Sequence, residues 1–429
     1  MQTLTLKPGA LVIRGVSRAA LNWFCFALAV RVLAMLAIHI FSLNHGFGGF
    51  YPLASGHDDG FYFGAAADAA RGADVGVLPS FYPRALGFLF YLTGPDLIVG
   101  KMLNVVAGAL SVAVGVLLAR DLAREEAVLD GESEPETQAA GERAAHLAGF
   151  ALCFYPSLLW YSTQLVKDPI LVFFGLWALL LAIRTLRRPQ FFPVLLLLGA
   201  IYGLFIFRTY AALALIFAIL LFTLRFRRQW LLPMVLAAAL GPLAIGQGVF
   251  GWNQIQPWLD AERLESFREV VYSTGGSAAN VQVDYSNPLR FLLTYPYSFA
   301  TAMFGPFLWQ WRGGASLAAV PEVLVIWPLI PLWLSGWREI ARGRKGRAPG
   351  GYAALLLLFS VILVGAVALF SDNIGANTRL RLLPWSAFLI FAAVRLQSLP
   401  FFRSFSLKNS LQVRSLSRRR VWEREVIGR

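Results

Sequence analysis

Residues 191–224 read FFPVLLLLGAIYGLFIFRTYAALALIFAILLFTL and contain one charged residue, Arg208. A single helix over this run would be about 50 Å long at 1.5 Å per residue. The hydrocarbon core of a bilayer is only about 30 Å thick. Two shorter helices that turn at Arg208, Thr209 and Tyr210 fit that core better. The run therefore predicts a helical hairpin in a membrane, with its one charge at the tip.

The rest of the chain follows the same apolar pattern. Of its 429 residues 57% are hydrophobic and only 14% are charged, and the mean hydropathy is +0.60. A soluble protein of this length carries far more charge. We therefore predict an all-α polytopic membrane protein with about ten transmembrane helices, near residues 20–42, 97–119, 145–163, 169–186, 191–207, 209–224, 230–250, 319–337, 352–371 and 384–400.

The distribution of positive charge predicts the orientation of these spans. The net charge of +14 comes from short clusters of Lys and Arg between apolar runs, as the positive-inside rule expects, and it does not indicate nucleic-acid binding. This pattern predicts a multi-pass protein of the inner (plasma) membrane with both termini in the cytoplasm. Residues 1–400 form one transmembrane domain, and the basic tail 401–429 either binds the anionic inner leaflet or stays solvated. The acidic stretch 124–143 resembles a flexible linker.

Two long segments, residues 44–96 and 251–318, lie between spans on the extracytoplasmic side of this topology. Both are rich in aromatic residues, Pro and Gly. Residues 287–311, NPLRFLLTYPYSFATAMFGPFLWQW, are apolar without the continuity of a span, which favours helices lying in the membrane interface. We expect such interfacial helices in both segments. Any chemistry is expected on this face.

The first of these segments contains two adjacent acids, Asp58 and Asp59, within SGHDDGFYFGAAADAARG (residues 55–72). One acid can cap a helix that runs to about Arg71. On that helix Tyr62 shares a face with Ala66 and Ala69, which suits close packing. A second carboxylate beside apolar surface costs desolvation energy. A functional pair therefore competes with a simple helix cap, one acid serving as general base and the other binding a metal or orienting an acceptor.

An acidic pair in the first outside loop, with an aromatic residue four positions after the first acid, resembles the polytopic GT-C superfamily of glycosyltransferases. That group includes the protein O-mannosyltransferases and the aminoarabinose transferases of lipid A. The chain has Asp at the second position, where many relatives have Glu, and it has Tyr-Pro-Arg at residues 82–84 in place of a commoner Tyr-Pro-Pro. About half of the chain takes part in the likeness, through residues 58–62, 81–94, 97–123, 154–184 and 372–393.

The resemblance implies transfer of a sugar at the extracytoplasmic face, with inversion at the anomeric carbon. The donor would be a polyprenyl-phosphate- or diphosphate-linked sugar in the membrane, and the acceptor a hydroxyl of a glycan, lipid or protein. Asp58 would be the general base. Asp59 would orient the acceptor or, with Asp58, hold a divalent cation such as Mg²⁺ or Mn²⁺.

A lipid-phosphate leaving group gains negative charge, so nearby cations would speed its departure. The candidates for binding the substrate are Arg208, Lys167, Arg379, Arg381, Tyr62 and Arg84. Arg208 also reads as an interfacial anchor, and Asp168-Pro169 next to Lys167 reads as an N-cap and first helical turn. The spacing of Arg379 and Arg381 places them on roughly opposite helix faces, so at most one is expected to face the site.

Arg31 lies in the middle of the first predicted span. A charge at that depth must face protein or water and have a partner. A structural ion pair or the capping of backbone carbonyls is the expected role.

Two other functions compete with the transferase. A flippase or transporter of a lipid-linked or anionic substrate would explain buried arginines, although transporters place polar groups near the midplane. A polymerase or ligase of surface polysaccharide would use the same donors on the same face. The sequence does not separate this last possibility from the transferase.

Overall fold

The computed structural model of the chain describes residues 17–402, with gaps at 51–55, 77, 79, 227–259, 267, 270–282, 286, 312–313, 343–350 and 372. Every regular element in this part is helical. Short 3₁₀ turns at Leu308–Gln310 and Trp327–Leu329 accompany the α-helices. In chain order these are α1 (Arg18–Asn44), α2 (Gly56–Ala70), α3 (Tyr82–Thr93), α4 (Leu97–Leu129), α5 (Glu134–Cys153), α6 (Pro156–Tyr161), α7 (Asp168–Arg187), α8 (Phe191–Phe207), α9 (Thr209–Phe226), α10 (Ala261–Ser266), α11 (Pro288–Phe304), α12 (Gly314–Ile326), α13 (Ile330–Arg342), α14 (Ala353–Phe370), α15 (Ile374–Leu380) and α16 (Leu382–Leu396).

The chain is a helical, multi-pass membrane protein. Among the described residues six stretches are long and apolar enough to cross a bilayer: Arg18–Asn44, Leu97–Leu129, Asp168–Arg187, Thr209–Phe226, Ala319–Arg342 and Ala353–Phe370. The helices α8 and α16 are apolar but shorter. The predicted span at 230–250 lies outside the described residues. The number of ten spans and the location of the termini remain predictions.

Contacts between helix termini identify two ends of the bundle. At one, the start of α4 meets the connection after α1, because Nζ of Lys101 donates to the carbonyl of Gly49 over 2.5 Å. We call this the upper end. At the other, the lower end, Arg187 near the end of α7 forms an ion pair with Glu125 of α4. The guanidinium of Arg187 also lies 5.0 Å from the ring of Tyr352, beside the start of α14.

The hairpin predicted at residues 191–224 is confirmed. The helix α8 ends at Phe207 and α9 begins at Thr209, with Arg208 extended between them. This turn lies at the upper end, since the carbonyl of Ile206 accepts a hydrogen bond from the backbone of Phe81 just before α3.

Two expectations about residues 124–163 are wrong. The acidic stretch 124–143 is not a linker, because α4 continues to Leu129 and α5 begins at Glu134. Glu136 accepts the backbone N–H of Ser133 at this start over 2.9 Å, which satisfies a helix-end donor. The span expected at 145–163 is also broken, since α5 ends at Cys153 and Pro156 opens the separate helix α6.

Arg31 stabilises this break. Its side chain is completely buried, and Nη2 donates to the carbonyl of Leu152 in the last turn of α5. Gly108 of α4 permits the approach, because a Cβ there would lie 2.8 Å from Nε of Arg31 and 2.2 Å from Oγ of Ser162. The expectation of carbonyl capping by Arg31 is therefore confirmed.

Candidate functional site

Carboxylates and guanidinium groups alternate in a chain of contacts at the upper end. Oδ2 of Asp58 accepts a hydrogen bond from Nη1 of Arg379, and Nε of Arg379 donates to Oδ2 of Asp168. The other oxygen of Asp168 accepts from Nη2 of Arg208 over 2.8 Å. We call these four residues the carboxylate–arginine cluster. It draws on α2, α7, the α8–α9 turn and α15.

Exposure varies strongly along the cluster. The side chain of Asp168 is 1% exposed and that of Arg208 9%, whereas Asp58 is 44% exposed. Two carboxylates balance two guanidinium groups, so the buried part carries no large net charge. Asp58 is the one acid of the cluster that an incoming molecule can reach.

The helix α2 directs its two adjacent acids to different partners. Asp59 is fully buried, and its Oδ1 accepts the backbone N–H of Leu165 over 3.0 Å. Leu165 belongs to the connection between α6 and α7, which Asn104 of α4 also holds by donating to the carbonyls of Gln164 and Val166. Asp59 thus fixes α2 against the segment that leads to Asp168.

Asp168 does not form the helix cap that its sequence suggests. Lys167 occupies the N-cap position of α7, and Asp168 is the first helical residue, with its side chain turned to the two arginines. The expected N-cap role is therefore wrong. A buried carboxylate between two guanidinium groups is well placed to hold both in fixed directions.

The cluster also determines the electrostatics of its neighbours. Burial alone would lower the pKa of Arg379, but the carboxylates of Asp168 and Asp58 raise it well above its usual value. Burial, together with the positive charge of Arg208, lowers the pKa of Lys167 to about 7, although the carboxylate of Asp168 acts in the opposite direction. Nζ of Lys167 makes no hydrogen bond or ion pair with any residue that the structure describes.

Tyr62 lies beside the cluster. Its side chain is 5% exposed, its ring meets that of Tyr82 edge-on at 5.1 Å, and burial raises its pKa. The packing face expected on α2 is present: a Cβ on Gly87 of α3 would lie 2.8 Å from Cβ of Ala69 and 3.0 Å from the carbonyl oxygen of Ala66.

Arg381 lies in a second buried group. Its Nη1 donates to the carbonyl of Gly305, and its guanidinium stacks 4.0 Å from the ring of Trp385. Its Nε is 3.6 Å from Oε1 of Glu322, which also accepts hydrogen bonds from Tyr155 and Ser157. We call Glu322, Arg381, Tyr155 and Ser157 the Glu322 group. Arg379 and Arg381 therefore do face different groups, as their spacing predicts.

The remaining candidates lie apart from the cluster. Arg84 is exposed on α3, and no hydrogen bond or ion pair joins it to the described part of the chain. For a divalent cation, Asp58 already faces the guanidinium of Arg379, and Oδ1 of Asp59 is engaged with Leu165. Among the described residues no group of three or more His, Cys, Asp or Glu side chains comes together. This arrangement of the two aspartates fits a metal poorly.

Sequence reasoning missed two acids. The dipeptide Asp168-Pro169 predicts a helix N-cap, because Asp-Pro is a common helix start. Only the fold brings Arg208 and Arg379 to the carboxylate of Asp168. Glu322 carried a usable signal, since it is the one acid within the predicted span 319–337, and an ionisable residue at that depth indicates a function or a buried partner.

No protein family, curated protein or solved structure shows a significant match to this chain.

Proposed function

We propose that this protein is a GT-C-type glycosyltransferase that moves a sugar from a polyprenyl-phosphate- or diphosphate-linked donor to an acceptor hydroxyl. The observation that supports the proposal is the carboxylate–arginine cluster. It offers one reachable carboxylate, Asp58, next to guanidinium groups that buried carboxylate contacts hold in place. Acceptor activation needs the former, and departure of a phosphate needs the latter.

The reaction follows from the free atoms of these residues. Oδ2 of Asp58 is held by Arg379, so Oδ1 takes the proton of the acceptor hydroxyl. The acceptor oxygen then forms a bond to the anomeric carbon as the bond from that carbon to the phosphate oxygen breaks. The electron pair stays on the phosphate, and attack from the opposite side inverts the anomeric centre.

Two groups are suited to the phosphate. Nη2 of Arg379 makes no hydrogen bond within the described residues, and neither does Nζ of Lys167. The positive charges of Arg379 and Lys167 are close enough to act on each other. Arg208 supports them indirectly by holding Asp168. Because the four charges of the cluster cancel, the ammonium of Lys167 supplies the extra positive charge that a phosphate would meet.

Asp59 takes a positioning role in this proposal. It fixes the connection before Lys167 through Leu165 and does not meet the acceptor. A dependence on Mg²⁺ or Mn²⁺ remains a prediction to be tested by chelation.

The experiment presents purified protein in nanodiscs with a panel of polyprenyl-phosphate and diphosphate sugars and with glycan, lipid and peptide acceptors. Release of polyprenyl phosphate or diphosphate is measured. We expect Asp58→Asn to lower the rate by about 10²–10⁴-fold, the range of a lost general base. Asp68→Asn is the matched control, because Asp68 lies on the same helix but is 50% exposed and pairs with Arg71 at the surface. Equal loss in both variants would contradict the assignment of the base.

A transporter is the second candidate, and one observation favours it. The Glu322 group lies beside the break between α5 and α6, and broken helices next to buried ionisable residues are typical of transport sites. Absence of turnover with every donor, together with movement of a lipid-linked sugar across liposomes that Glu322→Gln abolishes, would favour transport.

A further inference from the structure

Three aromatic rings stack beside the turn that follows α11. The ring of Phe307 lies 4.9 Å from that of Trp309, with an angle of 18° between their planes. It lies 6.5 Å from the ring of Trp327, with an angle of 22°. Phe307 therefore covers one face of Trp309. Because Trp309 is still 60% exposed, its opposite face is open.

Hydrogen bonds fix the direction of Trp309. Its indole N–H donates to the hydroxyl of Tyr297 on α11 over 2.8 Å. The same hydroxyl accepts from Nε2 of Gln310 over 3.4 Å, and Oε1 of Gln310 accepts the backbone N–H of Phe307 over 2.9 Å. The ring is thus held in place before a ligand arrives, which reduces the entropy lost on binding.

Tyr297 places a polar atom at the edge of the open ring. A phenol hydroxyl can donate and accept. That of Tyr297 accepts two hydrogen bonds and donates to no residue in the described part of the chain. Because Tyr297 is 42% exposed, its proton is available to a ligand. We call Phe307, Trp309 and Tyr297 the Trp309 platform.

A role as a membrane-interface anchor explains the platform less well. An interfacial tryptophan turns its ring to the apolar side and leaves its N–H to water or headgroups. Here the N–H of Trp309 is used within the protein. The two neighbouring indoles do the same, since Trp311 donates to the carbonyl of Pro306 and Trp327 to that of Phe304. What Trp309 offers is a flat apolar face with a hydroxyl donor beside it.

This combination matches a pyranose ring. The axial C–H groups of a glucose-like sugar form a flat apolar face that can lie on an aromatic ring, and its equatorial hydroxyls reach donors at the ring edge. A lipid tail has neither the flat face nor an oxygen for Tyr297.

The turn is also attached beside the carboxylate–arginine cluster. The carbonyl of Gly305 accepts a hydrogen bond from Nη1 of Arg381. Arg381 follows Arg379 of the cluster by two residues. A ligand on the platform therefore lies at the same end of the molecule as Asp58.

We infer that the Trp309 platform binds a glycan, with a pyranose ring stacked on Trp309 and a sugar hydroxyl accepting from Tyr297, and that this glycan is the acceptor. The acceptor role rests on the proposed function. Sugar binding itself is measured without turnover.

The test measures binding to the full chain in nanodiscs by saturation-transfer NMR, with empty nanodiscs as the blank. The probes are cellotetraose and chitotetraose, and sorbitol serves as a polyol without a flat face. We expect Trp309→Ala to weaken tetrasaccharide binding about tenfold and Trp309→Phe to keep most of it. Tyr297→Phe should weaken it about threefold. Leu308→Ala is the matched control and should leave binding unchanged, because Leu308 is 61% exposed in the same turn but has no ring.

Binding that Leu308→Ala weakens as much as Trp309→Ala would overturn the inference, since apolar area and not a flat ring would then hold the sugar. Equal signals from sorbitol and the tetrasaccharides, or no signal from any probe, would also overturn it.

Turnover separates this inference from the proposed function. Trp309→Ala should raise the KM for a glycan acceptor with little change in kcat, as expected for lost binding that is equal in the ground and transition states. An unchanged KM would overturn the acceptor role while the transferase stands. Sugar binding that depends on Trp309 in a protein without turnover would overturn the transferase and the acceptor role, and would keep the glycan site.

Discussion

At the scale of single residues, burial decides which of three acids can react. Asp59 is fully buried and accepts a backbone N–H, Asp168 lies between two arginines, and Asp58 is nearly half exposed. Adjacent residues on a helix point about 100° apart, so Asp58 and Asp59 meet different surroundings. Their chemical identity is the same, and only the fold leaves Asp58 accessible while it buries Asp59 against the backbone of Leu165.

Asp168 should contribute more to stability than any other member of the cluster. Asp168→Asn removes the charge that two buried guanidinium groups share, and breaking a buried ion pair from one side costs about 3–5 kcal/mol. Asp58→Asn should reduce the stability much less, because Arg379 would still form its ion pair with Asp168. Thermal unfolding of the detergent-solubilised variants measures both, with Asp68→Asn as the exposed reference. Equal loss for Asp58→Asn and Asp168→Asn would contradict the central position of Asp168.

Lys167 should make donor binding depend on pH near neutrality. Its lowered pKa of about 7 means that the ammonium form prevails below that pH and is lost as the pH rises through it. A phosphate that binds the ammonium should therefore show a KM that increases between about pH 6 and pH 8, by at most about tenfold per unit above 7. Lys167→Arg keeps its charge in this range and should flatten the dependence. An unchanged slope in that variant would exclude Lys167 from donor binding.

At the scale of elements, the Glu322 group joins helices that the site requires. Glu322 of α12 binds α6 through Tyr155 at its N-cap and through Ser157, and it faces Arg381 between α15 and α16. Arg379, two residues earlier on α15, belongs to the carboxylate–arginine cluster. Glu322 thus holds Arg381, two residues from Arg379, at the junction of α15 and α16.

Glu322→Gln should destabilise the protein by about 3 kcal/mol, because it leaves the buried guanidinium of Arg381 without a counter-charge. Arg381→Met should also destabilise. The double variant should be less destabilised than the sum of the two, with a coupling of about 0.5–3 kcal/mol, since no uncompensated charge remains. Additive losses would show that Glu322 and Arg381 act independently.

At the scale of the whole molecule, composition and apolar periodicity were enough to predict a helical membrane protein and the hairpin at Arg208. They did not predict the break at Pro156, because the groups that stabilise it are distant in sequence: Arg31 donates to the carbonyl of Leu152, and Glu322 accepts from the side chains of Tyr155 and Ser157. Composition also predicted a flexible linker at residues 124–143. In the structure α4 and α5 occupy these residues, held by the hydrogen bond at the start of α5 and by ion pairs at the lower end.

The sequence indicated only some residues of the carboxylate–arginine cluster, because contacts between distant residues leave no local pattern. Asp58, Arg208, Arg379 and Lys167 were candidates because each stands out locally as a charge beside apolar sequence. The sequence gives no sign that Asp168 pairs with Arg208 and Arg379, because its local sequence is that of an ordinary helix start. Contacts that join positions 58, 168, 208 and 379 have no signature in any single segment.

The orientation of the molecule is the last prediction. Of the described helices between residues 71 and 134, α4 alone is long and apolar enough to cross a bilayer, so these two positions should lie on opposite sides of the membrane. With Cys25→Ala in both chains, a membrane-impermeant maleimide should label Arg71→Cys in intact cells. It should label Glu134→Cys only after permeabilisation, because the Lys and Arg residues clustered at the lower end predict that this end faces the cytoplasm. The reverse pattern would place the carboxylate–arginine cluster on the cytoplasmic side, where nucleotide sugars are available and a lipid-linked donor is no longer required.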